Sequence, residues 1–179
     1  MTTWIALFRG INVGGHRRLP MKELKAELEN LGLTDVRTYI QSGNVLFRSA
    51  ESDAGALSET IASAVEKSHG FRSEVLVLDL AEFRAAAEGS PFPMTDAQAK
   101  TVHLSFLAEP PAAPDLAGLD AAKSATEEWA LKGRVLYLHA PDGYAHSKLA
   151  AKAQRLLGVP VTARNWRTVT KILEMSQSG

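Results

Sequence analysis

At 179 residues and 19.3 kDa, with 45% hydrophobic and 22% charged residues, the chain can bury one core or two small ones and is neither disordered nor fibrous in composition. The absence of cysteine excludes a disulfide framework, a thiolate zinc site, an iron–sulfur cluster and a cysteine nucleophile, and points to a reducing compartment. Twenty basic and twenty acidic residues cancel, which removes the usual argument from net charge to nucleic acid.

Trp4 to Arg9 is apolar enough for a central strand, and the glycine-bearing loop Gly10 to Leu19 leads to Pro20, suited to a first helical position. Met21, Leu24, Leu28 and Leu31 mark one face of a helix that Gly32 ends. Val36–Ile40 and Val45–Phe47, joined across Gln41, Ser42, Gly43 and Asn44, read as a hairpin. Leu57, Ile61 and Val65 stripe a second helix closed by Gly70, and Glu74–Leu78 reads as a fourth strand. The order βαββαβ is the split βαβ arrangement of a ferredoxin-like unit.

A short helix around Asp79–Glu88 and a turn at Pro91–Pro93 precede a strand over Val102–Leu107. Glu109–Leu119 reads as a loop with a short helix, and Thr126–His139 as a hairpin around Lys132 and Gly133. Gly43–Phe47 aligns ninety positions before Gly133–Tyr137, which suggests an internal duplication, and the helices that follow both end in glycine, at Gly70 and Gly158. A helix from Ser147, a short strand over Val161–Ala163 and a closing helix after Asn165 complete the pattern. The expected fold is therefore α+β: two ferredoxin-like (βαββαβ) units with mainly antiparallel sheets, plus a C-terminal helix. The first unit is expected over residues 1–80 and the second, with the closing helix, over 81–179.

The longest apolar run, Trp4–Phe8, falls short of the roughly 18–20 residues of a membrane span, and no signal-peptide pattern is recognised. The expectation is a cytoplasmic protein with no membrane partner. Charge is unevenly distributed. Met1–Lys22 holds Arg9, Arg17, Arg18 and Lys22 without an acid, and Gly143–Leu173 holds six bases without one, whereas Glu51–Glu128 carries fourteen acids against five bases.

Four segments could carry chemistry. In Arg9–Arg18, Gly10, Gly14 and Gly15 free the backbone N–H groups to converge near a helix start, a setting that suits a phosphate or carboxylate, or equally a tight turn beside solvated arginines. It is not a Walker loop, and its spacing differs from the dinucleotide fingerprint. Gln41, Ser42 and Asn44 fall at the same sheet edge in a βαββαβ unit and could orient a polar ligand beside Arg9, Gly10 and Asn12; the same residues also suit an ordinary turn. Arg164, Asn165 and Trp166 place a cation, a cap and an indole at a helix start, though an indole there also suits the core. His139–Lys148 gathers His139, Asp142, His146, Ser147 and Lys148; the spacing matches no zinc signature or triad, and the simpler account makes Pro141–Gly143 a turn and Ser147 an N-cap. His16, His69 and His103 have no partner legible in the sequence. No catalytic residue, metal or cofactor is assigned.

Leu7–Gly15, Tyr39–Val45 and Ala163–Val169, with Tyr137–His139, Pro141–Gly143 and Ser147–Leu149, give the chain a resemblance to the bacterial domain-of-unknown-function 1697 family. The resemblance spans nearly the whole length and implies two α+β units of ferredoxin-like character. It implies no activity, cofactor or catalytic residue. The functional expectation is binding, with or without turnover, of an anionic, phosphate-bearing small ligand or nucleotide by the Arg9–Arg18 loop, the Gln41–Asn44 tip and the Arg164–Trp166 helix start. The alternative is a non-catalytic protein-interaction or oligomerisation module. Nucleic-acid binding is a minority version of the first reading, because strand three offers a single aromatic and Trp4 and Phe8 have apolar neighbours.

Overall fold

Strand β1, Thr2–Arg9, is apolar on both faces, so it reads as a continuous hydrophobic run rather than an alternation. Trp4, Ala6 and Phe8 join the helix-facing core, while Ile5 and Leu7 point the other way and are buried as well. Around β1 a computed structural model, which describes residues 1–179, builds the first of two units, Met1–Arg84 with Glu174–Gly179. Helix α1 (Met21–Asn30) buries Met21, Leu24 and Leu28. The hairpin β2 (Thr34–Tyr39) and β3 (Asn44–Ser49) follows. Helix α2 (Ala54–His69) is capped by the Asp53 carboxylate, which accepts the Ala56 N–H at 2.9 Å, and ends at Gly70; β4 (Glu74–Asp79) completes the sheet. The sheet order is β2-β3-β1-β4 with every neighbouring pair antiparallel. Because β3 is antiparallel to both β1 and β2, these two run in the same direction and end at the same edge.

Helix α3 (Leu80–Glu88) leads into the second unit, Ala85–Leu173. Its elements are β5 (Val102–Leu107), α4 (Leu116–Ala122), β6 (Glu128–Lys132), β7 (Val135–His139), α5 (Lys148–Leu157), β8 (Val161–Asn165) and α6 (Trp166–Gln177). Its strand order, β6-β7-β5-β8, is again antiparallel throughout and repeats that of the first unit. Leu136 and Leu138 face α5 through Leu149, Ala153 and Leu157. The fold is therefore α+β, two ferredoxin-like units followed by a C-terminal helix. No helix is long and apolar enough to cross a membrane.

Four of the differences from the sequence expectation bear on the architecture. Pro20 is the N-cap of α1, with extended backbone, and Met21 opens the helix. Strand β8 runs to Asn165, so α6 starts with no intervening loop. The compact units divide at 84/85 rather than 80/81, and residues 174–179 group with the first: the Arg37 guanidinium on β2 donates to the Met175 and Ser178 carbonyls. Finally, the hairpins correspond at an offset of ninety-one rather than ninety. Phe8 N–H donates to Gly43 C=O and Leu107 N–H to Arg134 C=O, and the helix-facing pair Val45 and Phe47 matches Leu136 and Leu138. A one-residue slip exchanges the two faces of a strand, so the alignment on glycine pairs inward with outward residues.

Gly43 sits at the contact between the hairpin tip and β1. Its φ is +83°, and a Cβ there would lie 2.7 Å from Phe8 Cβ, which is fixed to the β1 backbone, and 2.6 Å from Ile11 Cδ1, which is packed in the core. Backbone strain and overpacking act together, so Gly43→Ala is expected to lower unfolding free energy by about 2 kcal/mol or more. Denaturant titration checks this, and an unchanged midpoint would contradict the close approach.

Candidate functional site

The loop after β1 is a small hairpin arm. Asn12 N–H donates to Arg17 C=O and His16 N–H to Val13 C=O, both at 3.0 Å, with Gly14 and Gly15 at the bend. Both glycines have positive φ, +58° and +76°, as a type I′ turn requires. Val13 through Arg18 are exposed, whereas Ile11 and Leu19 at the base of the arm are buried. The tight-turn alternative is thus the local geometry. His16, Arg17 and Arg18 are exposed on the arm, the Arg17 guanidinium lying back toward Gly10, with no ion pair on either arginine.

Asn12 fastens the arm. Its φ is +53°, a left-handed conformation that asparagine tolerates better than most residues. Its Oδ1 accepts the Leu19 N–H at 2.8 Å, and its Nδ2 donates to the carbonyls of Leu19 at 2.9 Å and Gln41 at 2.8 Å. One side chain therefore closes the base of the loop and ties it to the hairpin tip. Asn44, 1% exposed, is likewise engaged: its Nδ2 donates to Tyr39 C=O at 2.9 Å and to Ser42 Oγ at 3.1 Å. Arg9 forms a cross-strand ion pair with Glu74 at 3.1 Å. The loop and the tip meet as expected, Gly10 lies at the start of the arm, and the Gln41 side chain is exposed beside it. Asn12, Ser42 and Asn44, expected to face a ligand, have their polar side-chain atoms engaged within the edge; Asn12 was legible as a polar loop residue, and its clamp role is signalled only by an asparagine in a glycine-rich turn.

Arg164, Asn165 and Trp166 belong to the second unit. Asn165 Oδ1 accepts the Thr168 N–H at 2.9 Å, the cap expected of it, and Trp166 is half-buried. Arg164 is buried, donates to Ala163 C=O, and has its pKa pushed down to about 10 by desolvation. The exposed cation at this helix start is Arg167.

The His139–Lys148 loop resolves into structural roles. Ser147, buried, accepts the Ala150 N–H at 3.0 Å as N-cap of α5 and donates to the buried Glu127 at 2.8 Å, while Asp142 accepts from Thr126 at 2.6 Å. The Ser147 hydroxyl is thus engaged on both sides. No group of three or more His, Asp or Glu side chains is gathered to hold a metal ion. The aromatics of β1 and β3, namely Trp4, Phe8 and Phe47, lie in the helix-facing core, so the base-stacking sheet of an RNA-recognition module is not formed.

Two histidines without legible partners find them in the fold. His69 Nε2 meets Glu27 Oε1 at 2.6 Å. His103 on β5 stacks on Tyr144 with ring centroids 4.1 Å apart, and its Nδ1 is buried without a hydrogen-bond partner. Burial pushes the His103 pKa down to about 4 from the ordinary 6.5, against a smaller opposing effect of a hydrogen bond with the Thr101 backbone.

Asn12→Ala is expected to cost about 1–3 kcal/mol, because it strands the Leu19 N–H, and to accelerate hydrogen exchange at that amide. Unchanged exchange would contradict the clamp. Between pH 6.5 and about 4 the unfolded chain protonates His103 while the folded chain does not, so stability falls as pH is lowered through that window. His103→Phe should flatten this slope by up to about 1.4 kcal/mol per pH unit in denaturant titrations, and an identical slope would show that His103 titrates normally.

Comparison with known proteins adds kinship to this geometry. A search of curated proteins found no match. Among solved structures, the chain is similar to the conserved bacterial protein SP0830 from Streptococcus pneumoniae, at 29% identity and a TM-score of 0.70 over 97% of this chain and 98% of that one. The family model described as protein of unknown function (DUF1697) matches residues 1–137. The chain, with its paired ferredoxin-like units and its clamped glycine arm, therefore belongs to the DUF1697 family.

Proposed function

We propose that the first unit binds an anionic, phosphate-bearing small ligand or nucleotide at the edge where the glycine arm meets the hairpin tip. The observation that carries this reading is the arm itself: Arg17 and Arg18 stand exposed and free of ion pairs on a turn that Asn12 fixes by three hydrogen bonds. A guanidinium donates paired hydrogen bonds to phosphate oxygens, and a pre-ordered loop loses less conformational entropy on binding. Gly14 and Gly15 leave the backbone of the bend open to close approach by an anion, since no side chain would lie within 4 Å of a Cβ at either position. In this reading Arg17 and Arg18 contact the ligand, Gln41 borders it, and Asn12, Gly43 and Asn44 position them.

The contacts are solvent-exposed, so binding is expected to weaken with salt. Calorimetric titration with pyrophosphate and with ATP tests the reading. Wild type should bind and Arg17→Ala/Arg18→Ala should bind at least about tenfold more weakly, with an unchanged melting temperature. Equal affinity in the double variant, or no binding by wild type at low salt, would overturn it.

A further inference from the structure

Beyond the anion reading, and in the other unit, the geometry points to a second copy of this chain pairing along the outer edge of β6. Strand β6 is terminal in its sheet. Leu107 N–H donates to Arg134 C=O at 2.8 Å, so alternate residues of β7 from Arg134 turn their backbone groups toward β5, and Val135, Tyr137 and His139 turn theirs toward β6. Their partners on β6 are Lys132, Ala130 and Glu128. The N–H and C=O groups of Trp129 and Leu131 consequently point away from the sheet. A cleft of about 370 Å³ opens against Glu128, Trp129 and Ala130, bordered by Pro91, Phe92, Asp120 and Lys123, which leaves space beside the strand. By contrast, the corresponding edge strand β2 is interrupted between Thr34 and Arg37, with Asp35 at φ +51°, a device that blunts edge pairing.

The occupant follows from the sequence of β6, Glu128-Trp129-Ala130-Leu131-Lys132. An antiparallel two-fold pairing centred on Ala130 sets Trp129 opposite Leu131 of the second copy. The outward backbone groups of both strands then exchange four hydrogen bonds and leave none unpaired. The same register sets Glu128 opposite Lys132 of the second copy, twice, and places the small Ala130 side chains at the axis. The strand is thus complementary to itself in backbone, charge and size, as an isologous contact demands. Trp129 and Leu131, both half-buried against their own core, would lose their remaining exposure in the pair.

Sedimentation equilibrium of the full chain over about 1 µM to 1 mM tests this. The mass is expected to rise from 19.3 kDa toward that of a dimer. Glu128→Lys or Lys132→Glu alone places like charges opposite each other and should weaken association by about tenfold or more, and the double exchange should restore it. Lys132 also donates to Gly89 C=O at 2.8 Å, a contact that Lys132→Glu and the double exchange lose alike, so recovery of the double exchange relative to Lys132→Glu reports only on the cross-strand pair. A monomer at all concentrations, a dimer indifferent to the single exchanges, or no recovery in the double would each overturn the proposal.

Discussion

The first unit depends on one contact, where Gly43 lies against Phe8 and Ile11 at the common end of two co-directional strands. Split βαβ topology makes β1 and β2 finish at the same edge, but topology alone leaves a loop and a turn that need not touch. The missing Cβ at Gly43 lets the tip descend onto β1, and the Phe8 N–H bond to its carbonyl at 2.8 Å fixes the register there. Asn12 then reaches from the loop to the Gln41 carbonyl, and the arm acquires a single orientation. Arg17 and Arg18 have a defined position only because that base is closed.

Polar side chains near a surface edge divide by what the backbone around them needs. Turns leave N–H and C=O groups without ladder partners, and a partly buried one must be satisfied locally. Asn12 and Asn44 do this, with Ser42 Oγ accepting from Asn44 Nδ2, Asn165 and Ser147 do it at helix starts, and all five are engaged within the fold. Arginine has no acceptor, so it satisfies no N–H; it can donate to carbonyls, as Arg37 does to those of Met175 and Ser178, or pair with an acid. Glu74 holds Arg9, and burial removes Arg164 from the surface, which leaves Arg17 and Arg18 as the exposed cations of the arm.

Much of this fold was legible because its signals are local. Apolar stripes at helical spacing, glycines at Gly70 and Gly158, and caps at Ser147 and Asn165 each act within a turn or two of chain. The strand order followed from the sequence of elements. What was not legible depends on contacts distant in sequence: the stacking of His103 on Tyr144, the bond from Asn12 to Gln41 C=O, and the tethering of residues 175–178 by Arg37. The hairpin correspondence erred by one residue because glycine marks a turn and carries no information about which face follows it. Of the candidate site, the meeting of loop and tip was legible from topology, whereas the division of labour between clamping asparagines and exposed arginines required the hydrogen bonds.

Anion binding at the clamped arm, as proposed, requires that a ligand perturb the arm before the rest of the unit. Backbone amide NMR of the full chain, titrated with pyrophosphate, tests it most directly. Saturable shifts are expected to concentrate at Gly14, Gly15, Arg17 and Arg18, with smaller ones at Gln41 and Ser42. Shifts confined to other parts of the chain, with the arm unmoved, would contradict it.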